Sequence, residues 1–504
     1  MISKIPDPRD VHLSNIPSIL SRRAGVLLHP TSLPGIADCG DLGPEAFRFV
    51  DFLTSAGMSV WQMLPTGPTH SGRSPYQSLS VHAGNPALIS LEKLQERGWL
   101  KGIPSAAVQD MFGPERQSCL IDARIGFEAH ASREDRDLYR NFIDREADWL
   151  QDFALYSAIR ADRSMQPWSQ WPAPIRDRQP ETLQTLTREL ADLLQQVFFE
   201  QFVWFQQWLE LRHYANQRGV LLFGDMPIFV ANDSADVWAN REYFALDSTG
   251  NPETVAGVPP DYFSATGQCW GNPHYRWERM QADGYSWWVE RMRTQLELVD
   301  LVRMDHFRGF ESYWEIPVDA PTAETGRWVK APGEALFERL EEVFGNLPLV
   351  AEDLGTITPA VDSLRGQFGL PGMKILQFAF DGGADNPYLP HRHVPHSVVY
   401  TGTHDNDTSK GWFESLSPAQ QGYVLDYLGS SKEPMPWPLI RCALASVANL
   451  AMMPMQDLLA LGSEHRLNTP GVSAGNWHWR FQWEQVPADL ADRLRHMMQM
   501  YGRM

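Results

Sequence analysis

Residues 333–353, GEALFERLEEVFGNLPLVAED, decide how the chain is read. The first part places Leu336, Phe337, Leu340 and Phe344 at helical spacing on one side, and Gly345 ends it. LPLVA then follows as a short apolar run without alternation, the mark of a strand buried on both faces, and two acids close it. Helix followed by buried strand is the unit of a parallel sheet. The unit recurs on either side. SWWVERMRTQLELV (286–299) leads into DLVRMD (300–305), and TPAVDSLRGQFG (358–369) leads into GMKILQFAF (372–380). Nearer the N-terminus, AGVLLHP (24–30), helical PEAFRFVDFLTSAG (44–57), SVWQMLP (59–65) and VLLFGDMPIF (220–229) continue it, while HSVVYTG (396–402) and NLAMMPMQDLL (449–459) close the series. Eight strands, each trailed by a helix, predict an α/β fold of the (β/α)8 TIM-barrel type. An open doubly wound sheet is the alternative, but no Gly-rich phosphate fingerprint follows the first strand.

The alternation stalls from Thr66 to about Arg218, where helical stretches culminate in the aromatic run LADLLQQVFFEQFVWFQQWLELRHYANQRG. The expected organisation is one barrel domain over 20–504. A largely helical insertion, 66–218, lies between strands 2 and 3, and a loop-rich insertion, 230–285, follows strand 3. Both insertions are expected to form subdomains around the C-terminal face of the barrel.

Composition narrows the partners. With 43 Lys and Arg against 62 Asp and Glu, the formal net charge of -19 repels phosphate backbones and anionic membrane surfaces. A neutral or cationic ligand is expected, with no nucleic acid and no membrane. The stretch MISKIPDPRDVHL has no apolar core of signal-peptide length, and no later run is long enough to cross a bilayer, so a cytoplasmic protein is expected. Cys39, Cys119, Cys269 and Cys442 lie too far apart for a zinc knuckle or a redox dithiol. Nineteen tryptophans provide rings that can stack on flat, weakly polar ligand faces as well as fill a core.

In such a barrel the chemistry gathers where the strands end. Four acids stand there: Asp225 in FGDMP, Asp305 in VRMDHFRG, Glu352 in LVAEDLG and Asp405 in TGTHDND. Side chains alternate along a strand, so Arg303 and Asp305 face one way and Met304 the other. A neighbouring cation favours an ionised carboxyl, which suits Asp305 to nucleophilic attack. Glu352, approached from the apolar LPLVA side with only Asp353 beside it in sequence, is expected to hold its proton more tightly, as a general acid must. Retaining glycosidases use this division of labour, with the two carboxyls roughly 5 Å apart across the bond. Asp405 follows His404 where Gly402 lets the backbone turn, and both polar groups can reach sugar hydroxyls. Taken singly, each acid also reads as a salt-bridge partner or a helix N-cap. Their joint occurrence at strand ends points to chemistry. His306 is open between packing and function.

With these acids in place, the sequence resembles the amylomaltases, the 4-α-glucanotransferase (disproportionating enzyme) family of glycoside hydrolases in the α-amylase clan. The likeness runs from about Gly25 to the C-terminus. It is carried by RMDHFRGF (303–310), VAEDLG (350–355), GTHDND (402–407), GDMPIFV (224–230), SPYQSLS (74–80) and PPDYFSATGQCWGNP (259–273). The resemblance implies that Asp305 is the nucleophile of a covalent glucosyl-enzyme and that Glu352 is first acid and then base. It implies that Asp405 binds and distorts the ring, Arg303 supports the nucleophile and His404 binds hydroxyls. Ser74, Tyr76, Asp225, Asp261, Gln268 and Trp270 would line glucan subsites, and Tyr262 and Phe263 would belong to an aromatic loop over the cleft. It implies no cofactor and no metal, and the chain shows no close Asp/Asn calcium loop. The expected activity is transfer of an α-1,4-glucan segment to the 4-hydroxyl of another glucan or glucose, by a monomer or weak homo-oligomer acting on maltooligosaccharides. An amylase-type hydrolase using the same acids and a non-catalytic glycogen-binding module are the alternatives.

Overall fold

The structure is a computed structural model that describes residues 21–35, 39–260, 264–472 and 474–504. Eight strands form its centre: β1 (Arg23–Leu27), β2 (Val60–Gln62), β3 (Leu221–Pro227), β4 (Leu301–Asp305), β5 (Leu349–Ala351), β6 (Gly372–Ile375), β7 (Ser397–Tyr400) and β8 (Leu450–Pro454). All pair in parallel, in the order β6-β7-β8-β1-β2-β3-β4-β5. The ring is completed between β5 and β6. There the Ala351 amide donates to the Pro371 carbonyl at 2.9 Å, and the Met373 amide donates to a carboxylate oxygen of Asp353 at 2.7 Å. The expected (β/α)8 barrel is therefore the fold.

Alternation along the strands builds two cores. Val60, Leu221, Leu301, Val350, Val398 and Leu450 form one cluster. Their sequence neighbours Leu222, Val302, Ala351, Val399 and Ala451 belong to the larger core shared with the helices. Strands β1 and β2 approach closely at Gly25, where any Cβ would lie 2.3 Å from the Val60 carbonyl oxygen. The first helix, α1 (Pro44–Ser55), starts on a proline and buries Ala46, Phe49, Val50 and Leu53, one face at helical period.

Between β2 and β3 run helices Pro114–His130, Arg133–Arg145, Ala147–Asp162 and Pro180–Glu189, and then α2 (Ala191–Gln217). The middle of α2, residues 197–208, is rich in aromatic and aliphatic side chains because the helix is covered on two sides. Phe202 meets Phe127 and Phe142 of the insertion, while the Trp208 indole donates to the Leu298 carbonyl at 2.8 Å on the barrel side. Two buried glutamines of α2 fasten the 84–90 loop as a strand partner would. Gln201 accepts from the Gly84 amide and donates to its carbonyl at 2.8 and 2.9 Å, and Gln207 does the same at Ser90 at 2.7 and 3.1 Å. Helix α3 (Ser286–Leu298) precedes β4.

Three stretches differ from expectation. Only 3-10 turns, Leu376–Phe378 and Pro390–Arg392, connect β6 to β7, because DGGADNPYLPHRHVPH has too many Gly, Pro and Asp for a helix. NLAMMPMQDLL is a strand only as far as Pro454, where the chain turns into the short helix Met455–Leu458. The 255–273 segment, which reads as loop, contributes Thr254–Val258 and Gln268–Pro273 to a four-stranded antiparallel sheet with Ser312–Pro317 and Arg327–Lys330. Among the described residues no helix is long and apolar enough to cross a membrane.

Candidate active site

Arg303 and Asp305 are alternate residues at the end of β4, and Asp225 lies opposite Arg303 on β3. The guanidinium reaches both acids. Its Nη1 donates to the two Asp225 oxygens at 2.8 and 2.7 Å, and its Nη2 lies 2.7 Å from Asp305 Oδ1. The Asp225 side chain is 0% exposed and that of Asp305 is 26% exposed, so the first holds the arginine from behind while the second faces the opening. Breaking such a buried pair by removing one partner typically costs about 3–5 kcal/mol. The arginine is thereby a fixed positive charge beneath Asp305.

Met304 of β4 pairs with Ala351 of β5 as the last rung, so Asp305 and Glu352 follow side by side at the ends of strands about 4.8 Å apart. Glu352 is buried and held by two amides: His306 donates to Oε2 at 2.7 Å and Leu354 to Oε1 at 3.0 Å. Burial pushes its carboxyl up to about 7, with the charge of Asp305 adding to the effect and Arg303 and the two amides opposing it. The neighbouring charge is thus Asp305, not Asp353. Asp353 points to the barrel seam, bonding the Met373 amide and lying 3.3 Å from Arg365. Sequence adjacency misleads here because successive side chains take opposite faces.

His306 resolves the question left open for it. Its backbone is left-handed, with φ 52° and ψ 50°, at a cost of about 1–2 kcal/mol for a residue with a Cβ. That turn aims its amide back at Glu352. Its ring, edge-on to Trp270 with centroids 5.0 Å apart, keeps a buried Nε2 that has no hydrogen-bond partner among the described residues.

The third acid arrives on the loop after β7. Asp405 is 36% exposed, 3.3 Å from His404 Nε2, and is gripped by Asn468, whose amide donates to Oδ1 at 2.6 Å. Arg466 donates to the Asp405 carbonyl at 2.9 Å. The Tyr76 hydroxyl links the two halves: it donates to Asp225 at 2.7 Å and lies 2.9 Å from His404 Nε2, with its ring stacked on the imidazole at 5.4 Å. Burial lowers the pKa of His404, which suits a neutral ring able to exchange hydrogen bonds with hydroxyls. Ser74 shapes the turn that carries Tyr76, its carbonyl accepting from the Gln77 amide at 3.2 Å. Gln268 accepts from the Trp270 indole at 3.1 Å. Asp261, Tyr262 and Phe263 lie outside the described residues.

A family model described as 4-alpha-glucanotransferase matches residues 28–486. The chain belongs to the 4-alpha-glucanotransferase family. It is 49% identical over 498 residues to the 4-alpha-glucanotransferase of Thermus thermophilus, covering 96% of this chain and 100% of the relative. To that of Synechocystis it is 48% identical, covering 96% and 98%. Among solved structures it resembles an amylomaltase from Streptococcus agalactiae in complex with acarbose, with TM-score 0.91, 36% identity and coverage of 96% and 99%.

Sequence reading missed three residues of this family member's site. Asn468, Arg466 and Trp477, whose ring lies 6.1 Å from that of Tyr76 and 6.2 Å from that of His404, come from irregular chain between β8 and the last helix. The one available signal was the density of tryptophan in NWHWRFQW (476–483).

Proposed function

We propose that this groove transfers α-1,4-glucan segments by double displacement with retention. Asp305 attacks the anomeric carbon from below as the glycosidic C–O bond breaks, and Glu352 gives its proton to the departing oxygen. The glucosyl unit is then an ester of Asp305. An acceptor's 4-hydroxyl enters on the other side, returns its proton to Glu352 and displaces the aspartate, restoring both groups. Asp405 and His404 grip the ring's hydroxyls, and Arg303 balances the charge that Asp305 gains when it leaves. The observation that carries this reading is the pair of acids that follow the last paired residues of β4 and β5, one carboxyl paired with arginine and its neighbour buried with a raised pKa.

The substrates are α-glucans and maltooligosaccharides, and acarbose is expected to occupy the same groove. Tyr76 of the 66–218 insertion and Trp270 of the 230–285 segment stand beside His404 and His306, and such aromatic side chains favour an acceptor sugar over water. Free thiols at Cys119, Cys269 and Cys442 fit a reducing compartment, in keeping with a cytoplasmic location. The chain acts as a monomer or weak homo-oligomer.

Incubation with maltotriose separates transfer from the hydrolysis that an amylase would perform with the same acids. Transfer gives a ladder of longer chains with free glucose and an almost constant number of reducing ends. Reducing ends that rise with every cut would make the chain a hydrolase, and no turnover would make it a binding protein.

A further inference from the structure

We propose that Asp457 is a positioning residue for the loop that carries His404 and Asp405. The inference rests on the reading of Asp405 given above. Asp457 sits in the helical turn directly after β8, with 1% exposure. One carboxylate joins both ends of the catalytic loop. Thr401, the residue after β7, donates its hydroxyl to Oδ2 at 2.5 Å. Ser409, the first residue of the helix Ser409–Ser415, donates its amide to Oδ1 at 2.7 Å and its hydroxyl to Oδ2 at 2.6 Å. Residues 402–408 therefore form a closed bow whose two feet stand on one buried carboxyl group.

Three donors converge on the two oxygens of Asp457, and a buried acceptor left without them, or donors left without it, would be costly. An asparagine of the same shape would set an N–H2 group against the Ser409 amide, losing that bond, or against the two hydroxyls, which must then turn round to accept. The bow has separate ties: Gln377 donates to the Asp407 carbonyl at 2.8 Å and Ser463 to the Asp407 carboxylate at 2.7 Å, while Arg466 and Asn468 hold Asp405 itself. Loss of the staple would thus shift the feet of the bow against these ties and strain the placement of Asp405, without releasing the loop altogether.

The test compares kcat and KM for Asp457→Asn and the milder Ser409→Ala with those for Asp300→Asn. Asp300 is another buried carboxylate, bonding Arg212 and the Leu222 amide at the other end of the barrel. Asp457→Asn is expected to lower kcat by on the order of 10²-fold, the penalty for displacing a catalytic group by about 1 Å, with a much smaller change in KM. Ser409→Ala moves the same way by less. Asp300→Asn lowers thermal stability and leaves kcat unchanged.

In an Asp405→Asn background, Asp457→Asn is expected to add little further loss, because it acts through the residue already removed. A lowered melting temperature with intact kcat, or an undiminished further loss in that background, overturns the proposal. If Asp457→Asn does not fold, the same cycle run with Ser409→Ala decides. Unchanged kcat in Asp405→Asn refutes the reading of Asp405 and the proposal with it. A large loss there beside an unaffected Asp457→Asn refutes the proposal alone.

Discussion

Asp305→Asn is expected to lower kcat on maltotriose by on the order of 10⁴-fold or more while the protein stays folded and still binds acarbose. The amide keeps the shape of the side chain but has no anionic oxygen with which to form an ester to the sugar. Folding should survive because Arg303 keeps both bonds to Asp225, and the lost partner is the more exposed of its two acids. Mass spectrometry of acid-quenched enzyme provides a second readout. The wild type should carry a glucosyl adduct on the peptide containing residue 305, and the variant none. Near-normal turnover, or an adduct on a different peptide, would move the nucleophile elsewhere.

Glu352→Gln is expected to cost about 10²–10⁴-fold in kcat, the usual range for a lost general acid. Its pH dependence follows from the carboxyl's position near 7. Only the protonated form can donate to the leaving oxygen, so wild-type turnover should fall as pH rises through about 7, and that basic limb should vanish in the glutamine variant. An α-maltosyl fluoride donor should restore much of the first step, because fluoride departs with little help from an acid. A glutamine variant that kept the limb, or one no better on the fluoride, would show that another group supplies the proton.

The barrel was legible because its strands are buried on both faces and read as uninterrupted apolar runs, each stopped by a polar group. LVRMD and LPLVAED marked both a strand and the acid at its end, and β4 and β5 lie where those runs predict. Less legible was what depends on partners distant in sequence. Thr254–Val258 reads as loop because its glycine and the register shift between Val255 and Gly257 break any pattern, and its strand partner Ser312–Pro317 is supplied from beyond β4. Asn468 and Arg466 are positioned by irregular backbone, which has no period to read. Glu352 was assigned the right tendency with the wrong neighbour, since the charge that matters reaches it across a rung and not along the chain.

The join between β5 and β6 bears on how the enzyme fails. Elsewhere the hoop is laced by successive main-chain pairs, whereas here one amide hangs on the carboxylate of Asp353, immediately after Glu352. Gentle warming should fray this hem first, so deuterium uptake at Met373 outpaces uptake at the amides linking β3 and β4. The proton donor would drift before the nucleophile does, and catalytic power would fade at temperatures where most of the molecule is still intact.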